Sequence, residues 1–186
     1  MDHEEFVKSV QDSYQRLRQN MQERWQRDLP FEELLFDRWE RAKTLGFGER
    51  ANIYHNSYVY GDVKVGNHTW IGPFTLLDGT GGLTIGEYCN ISAGVQIYTH
   101  DTVKWVLSRG KAEYEYAPVS IGDCVHIGSQ SVIKKGVTIG AHSVIGACSF
   151  VNKDIPPYTV AVGVPCRPNG RVEISDDGNV TISRLV

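Results

Sequence analysis

The sequence predicts a mainly β chain wound as a parallel β-helix, preceded by a helical arm and followed by a short β tail. Three observations carry this. From Val59 onward a bulky aliphatic residue recurs every sixth position, at Val59, Val65, Ile71 and Leu77, at Ile85, Ile91 and Ile97, and from Ile121 through Ile127, Ile133, Ile139 and Ile145 to Val151. The residues before this run carry their apolar side chains at helical spacing instead. The residues after it read as two short strands around Asp177 and Gly178.

Taken in order, the arm comes first. Phe6, Val10, Tyr14, Leu17, Met21 and Trp25 recur at steps of four and three, which places them on one stripe of an amphipathic helix. Pro30 suits a helical first turn and starts a second run with Leu34, Leu35, Trp39, Ala42 and Leu45, closed by Gly46. Such an arm must bury its stripe against something, either the body or a neighbouring subunit, with a substrate contact as the alternative.

A six-residue period fits neither a helix nor a hairpin ladder. It fits short strands joined by tight corners, three strands to a coil, each coil stacked about 4.8 Å from the last. Residues eighteen apart then stack, so Ile121 is expected on Ile139, Ile127 on Ile145 and Ile133 on Val151. Glycine after the aliphatic position permits unusual dihedrals or a close approach at the turn.

The beat breaks twice. From Leu77 to Ile85 the step is eight, so "DGTGGL" holds two extra residues at one corner. From Ile97 to Ile121 it is twenty-four, so eighteen residues are extruded from an otherwise continuous column. Long loops in compact folds are usually functional or disordered. This one carries Trp105, Val106, Leu107, Tyr114 and Tyr116, too apolar for a solvated tether, and is expected to lie against a surface. The chain thus divides into an arm at 1–50, a column at 51–166 with its loop at 99–118, and a tail at 167–186 forming a terminal hairpin.

Composition narrows the function. Nineteen basic against 22 acidic residues give a net charge of -3, which leaves no field to attract nucleic acid or an anionic bilayer. No stretch has eighteen uninterrupted apolar residues, and "MDHEEFVKSV" lacks the apolar core of an export signal, so a soluble cytoplasmic protein without membrane insertion is expected. Cys89, Cys124, Cys148 and Cys166 form no CxxC pair, fit a reducing compartment, and read as small buried packing residues.

The stretch "VSIGDCVHIGSQSVIKKGVTIGAHSVIGACSFVNKDIPPYTVAVGVPCR" resembles the C-terminal half of hexapeptide-repeat acetyltransferases, nearest the galactoside, maltose and polysaccharide sugar O-acetyltransferase branch. The likeness runs from about Val59 to Arg167 and is weak or absent over arm and tail. It implies a left-handed coil, a homotrimer with sites between adjacent columns, acetyl-coenzyme A as cosubstrate, and a loop reaching a neighbour. The family's histidine base falls within "IYTHD", at His100.

Such a base is what the chemistry needs, since a sugar hydroxyl attacks a thioester poorly until a neutral imidazole takes its proton. Asp78 stands where related enzymes place an acidic residue against acceptor hydroxyls; an aspartate before glycines is equally a turn-capping residue. "WIGPFT" before it departs from the galactoside pattern. For the cofactor, the resemblance points to the main chain near Ser129 and Ala147, with Asn152, Lys153 and Arg167 towards the nucleotide end, where phosphates want cations. His126 replaces a tryptophan of related enzymes, making that wall more polar or giving it a distinct contact.

The γ-class carbonic anhydrases share such a column and hold a metal through three histidines, two of them five residues apart. No two of the six histidines here have that spacing, so no metal is expected. The expectation is therefore an O-acetyltransferase with a sugar or glycan acceptor. N-acetylation of a nucleotide-linked amino sugar is the alternative within enzymes, and a catalytically silent trimeric scaffold the alternative outside them.

Overall fold

The computed structural model describes residues 2–184 and turns the six-residue beat into a triangular column. On its first face the strands Asn52–Ile53, Trp70–Ile71, Asn90–Ile91, His126–Ile127, Val144–Ile145 and Thr159–Val162 pair in parallel. The second face stacks residues 76–77 on Gln96–Ile97, Val132–Ile133 and Phe150–Val151. The third stacks residues 83–85 on Val119–Ile121 and Thr138–Ile139. Ile121 pairs with Ile139, Ile127 with Ile145 and Ile133 with Val151, the register the spacing predicts.

Beyond Val59, which is half-buried, these aliphatic residues are buried: Ile71, Leu77, Ile91, Ile97, Ile127, Ile133, Ile139 and Ile145 are all at 0% exposure. Burying one such side chain is worth about 1.5–3 kcal/mol, so the ladders supply the main driving force. The small polar residues two positions earlier tie one coil to the next. The Thr69 hydroxyl donates to the Gly86 carbonyl at 2.8 Å and the Ser131 hydroxyl to that of Gly146 at 3.0 Å.

The glycine after the aliphatic position serves close approach. A Cβ on Gly128 would lie 2.4 Å from the Ala147 nitrogen in the next coil. The left-handed dihedral falls two residues later, on side chains such as Cys124, His142 and Cys148. That corner position exposes its occupant, so Cys124 and Cys148 are exposed and only Cys89 and Cys166 are buried, against the expectation of four buried thiols.

The arm differs from its prediction in two ways. Helix α1 (His3–Trp25) starts in a capping box between Asp2 and Glu5 but buries none of its residues. The second run is two helices, α2 (Phe31–Leu35) and α3 (Arg38–Thr44), because Phe36 is extended and the Asp37 carboxylate accepts from the N–H groups of Trp39 and Glu40, starting a new helix. Gly46 at φ +73° ends α3, with Phe47 N–H bonded to Ala42 O and Gly46 N–H to Lys43 O, a Schellman closure. At the other end, Arg167–Ile174 runs antiparallel to Thr159–Val162 and to Val180–Arg184; residues 185–186 lie outside the described residues. Among the described residues no helix is long and apolar enough to cross a membrane.

Candidate active site

The two breaks in the beat lie on one edge of the column, in consecutive coils. Leu77 stacks on Ile97, so the chain leaves the second face at the same corner both times. The first departure gives Asp78 to Gly82; the second gives Thr99, His100 and the extruded loop. The loop is a built element. His100–Asp101 pairs antiparallel with Glu115–Tyr116, and Val103–Leu107 forms helix α4 at the tip. Its tip is open in the single chain, with Val106 at 60% and Leu107 at 79% exposure.

Stacking these departures joins Asp78 to His100. His100 Nδ1 lies 2.6 Å from Asp78 Oδ2 and 3.1 Å from the Thr80 hydroxyl. Asp78 Oδ2 also accepts from the Thr99 N–H at 2.9 Å, and Oδ1 from the Thr80 N–H at 3.0 Å and its hydroxyl at 2.6 Å. Burial pushes the Asp78 carboxyl up, but the Thr80 hydroxyl, the Thr99 and Thr80 N–H groups and the His100 ring outweigh it and hold its pKa down to about 2. Once ionised, the carboxylate can only accept, so Nδ1 is the ring nitrogen that donates to it, and in the neutral ring the lone pair is on Nε2.

Asp78 itself does not fit the acceptor contact expected of it. Its side chain is 1% exposed and its oxygens are taken by donors from its own chain, whereas the His100 ring is 31% exposed. Asp78 caps its turn and orients the histidine. Both duties need the eight-residue step: a Cβ on Gly81 would lie 2.4 Å from the Thr99 carbonyl, so only glycine lets the two departures pack.

Several residues that sequence reasoning passed over hold this arrangement. Thr99 donates its hydroxyl to the Asp78 carbonyl and accepts from the Gly81 N–H, both at 2.8 Å. Tyr116 and Tyr114 stack beside His100, centroids at 5.9 and 6.4 Å. Lys135, one coil on at the same edge, reaches Asp101 at 3.2 Å and Glu115 at 3.3 Å, and so ties both strands of the loop's stalk to the column. Hydrogen bonds from Lys104 and Lys135 hold the Glu115 carboxyl below its ordinary range. Lys135 was legible only by counting coils, since nothing local marks it.

The remaining expected residues fall in three places. Asn152 and Lys153 lie on the His100 edge, two coils further on, and the Arg167 guanidinium reaches Asn152 Oδ1 at 3.3 Å. Lys153 and Arg167 are exposed. Ser129 and Ala147 stack at the corner between the first and second faces, where the Cys148 N–H donates to the Ser129 carbonyl at 2.9 Å. His126 points outward on the first face, between Asn90 and Val144. The structure therefore unites His100, Asp78, Asn152, Lys153 and Arg167 on one edge and separates Ser129, Ala147 and His126 from them.

Comparison with known proteins adds the family. Residues 118–153 match the model of the bacterial transferase hexapeptide (six repeats). A solved hexapeptide-repeat acetyltransferase from Vibrio cholerae, complexed with acetyl coenzyme A, is 30% identical with a TM-score of 0.65, over 87% of this chain and 86% of that one. The chain belongs to the hexapeptide-repeat acetyltransferase family. Within it, the chain is similar to the galactoside O-acetyltransferase of Escherichia coli, 49% identical over 122 residues, which is 65% of this chain and 55% of the relative. That of Lactococcus lactis is 35% identical over 131 residues, 70% and 54%. The chain spans about half the length of these curated relatives. The family model itself stops short of His100 and Asp78.

Proposed function

We propose that the chain is an acetyl-coenzyme A-dependent transferase that acetylates a hydroxyl of a sugar or glycan, with His100 as general base. The observation that carries this is the 2.6 Å contact between His100 Nδ1 and a carboxylate that stays ionised down to a pKa of about 2. It fixes the tautomer in which Nε2 accepts a proton, and it stabilises the imidazolium that results; this is the division of labour between base and orienting carboxylate in acyl transfer.

The thioester, when bound, supplies the acetyl group and a thiol leaving group. The residues expected to hold it fit a pantetheine phosphate chain: half-buried Ser129 and exposed Ala147 place main-chain amides at an open corner, and Lys153 and Arg167, both exposed, offer charge to phosphates. These groups lie on two different edges of one column. A homotrimer, in which the edge of one column faces the next, is the assembly that brings both to one cleft, and the apolar loop tip gives it a contact surface.

The test is acceptor-dependent release of free coenzyme A from acetyl-coenzyme A, over a panel of glycosides and nucleotide-linked amino sugars. Release with hydroxyl sugars supports the reading. Release with amino sugars alone replaces it by N-acetylation, and no release with any acceptor favours a silent scaffold.

A further inference from the structure

The stalk of the extruded loop is a two-stranded ladder with two unlike faces. His100 pairs with Tyr116 and Asp101 with Glu115, so alternation puts His100, Tyr116 and Tyr114 on one face and Asp101 and Glu115 on the other. The charged face is tied down by Lys104, 2.6 Å from Glu115, and by Lys135. The aromatic face is closed from the opposite end, by the loop's own tip.

That tip folds back on itself. After α4, the Ser108 hydroxyl donates to the Trp105 carbonyl at 3.1 Å and accepts from the N–H groups of Lys111 and Ala112 at 3.1 and 2.7 Å. Arg109 and Gly110 turn the chain at φ +56° and +82°, and the Gly110 N–H closes on the same Trp105 carbonyl at 2.8 Å. The reversal lays the Trp105 indole against Gly110 and edge-on to Tyr114, with ring centroids 5.6 Å apart at 87°. At 41% exposure Trp105 is the least exposed of the four apolar residues of α4, the one turned towards the stalk.

Four rings therefore form a chain from tip to site: Trp105 on Tyr114, Tyr114 beside Tyr116 at 6.5 Å, and both tyrosines stacked beside His100, tilted from its plane by 26° and 29°. Edge-to-face and offset stacking are the favoured aromatic geometries. The contacts to Asp78 and Thr80 hold a single ring atom of His100, Nδ1. A ring held at one atom still tilts, and Nε2, on its far side, swings. Ring faces packed beside it restrict that tilt, which a base aimed at one hydroxyl requires.

We propose that Trp105 is a positioning residue for His100: seated on Gly110 at the loop's tip, it holds Tyr114 and Tyr116 against the imidazole and so sets the direction of Nε2. The proposal rests on the reading of His100 as the base, and it makes the folding of the loop upon itself a condition of turnover.

The test compares the wild type, Trp105→Ala, Trp105→Phe, Tyr114→Ala and the double variant Trp105→Ala/Tyr114→Ala in the coenzyme A release assay, with mass in solution followed by light scattering. Trp105→Ala should lower kcat about ten-fold through misplacement of His100, with the KM for acetyl-coenzyme A, the circular dichroism and the mass unchanged. Trp105→Phe keeps a ring on Tyr114 and should recover most of the loss. In the Tyr114→Ala background, where the chain of rings is already cut, adding Trp105→Ala should change kcat by less than about two-fold. Equal effects of Trp105→Ala in both backgrounds, a raised KM in place of a lowered kcat, or a change of mass would overturn the proposal. A second readout needs no turnover: carbethoxylation of His100 by diethylpyrocarbonate, read by mass spectrometry against His126, which is exposed on the first face. The ratio of His100 to His126 modification should rise about two-fold or more in Trp105→Ala. An unchanged ratio overturns the proposal and leaves the transferase reading in place. A raised ratio in a chain that releases no coenzyme A with any acceptor keeps the ring contacts and removes that reading.

Discussion

The coils from Val119 to Val151 and the edge that carries Asp78 and His100 are built by opposite rules. In the coils every sixth residue is buried, each coil repeats the last, and the polar side chains serve mainly to close corners. On the edge the repeat is broken by two residues in one coil and eighteen in the next. There a buried carboxylate, a part-exposed imidazole and a lysine with two carboxylates gather within hydrogen-bond reach. Stability sits in the periodicity, the proposed chemistry in its interruptions, and mutations should separate the two.

The largest effect is expected at the interruption. Asp78→Asn keeps the shape but presents the ring with an amide that no longer fixes the Nδ1 tautomer, and turnover should fall about 10²- to 10⁴-fold with the circular dichroism unchanged. In the coils, Ile127→Ala removes a fully buried side chain and should cost about 2–5 kcal/mol in denaturant unfolding, with turnover per folded molecule retained. If Ile127→Ala lost activity while keeping its stability, the separation would fail.

A smaller effect follows from acid. The Asp78 carboxyl is held at about 2 against an ordinary 3.8, so its ionised form favours the folded state. The contribution is present above about pH 4, falls as the pH drops towards 2, and amounts to about 2 kcal/mol for a side chain this buried. Unfolding of wild type and Asp78→Asn across that range should show the difference shrinking as the pH falls. The smallest effect is expected for Lys135→Met, which frees the loop's stalk from the column. We expect kcat to fall about ten-fold through misplacement of His100, with little change in melting temperature.

How much of this was legible follows the same division. The register of Ile121, Ile127 and Ile133 on their partners could be read directly, because one period fixes every ladder at once. The His100–Asp78 pair could not, although both interruptions were visible. Asp78 and His100 are far apart in sequence, and only placing Leu77 and Ile97 at the same corner shows that the two departures begin side by side. For Asp78 the sequence leaves acceptor contact and turn cap equally open, because sequence does not report burial. The break at Asp37 was missed because a capping aspartate inside a helical run looks like an ordinary surface charge until Phe36 is seen to be extended.

The claim on which the rest depends is that His100, oriented by Asp78, takes the proton of an incoming hydroxyl. The direct measurement is His100→Ala, assayed both for coenzyme A release with the best acceptor and for thermal stabilisation by acetyl-coenzyme A. The account predicts turnover lower by about 10²-fold or more. It also predicts that stabilisation is retained, at about 2.7 kcal/mol with ligand at a hundred times Kd. Turnover within ten-fold of the wild type, in a variant that still binds, would contradict it.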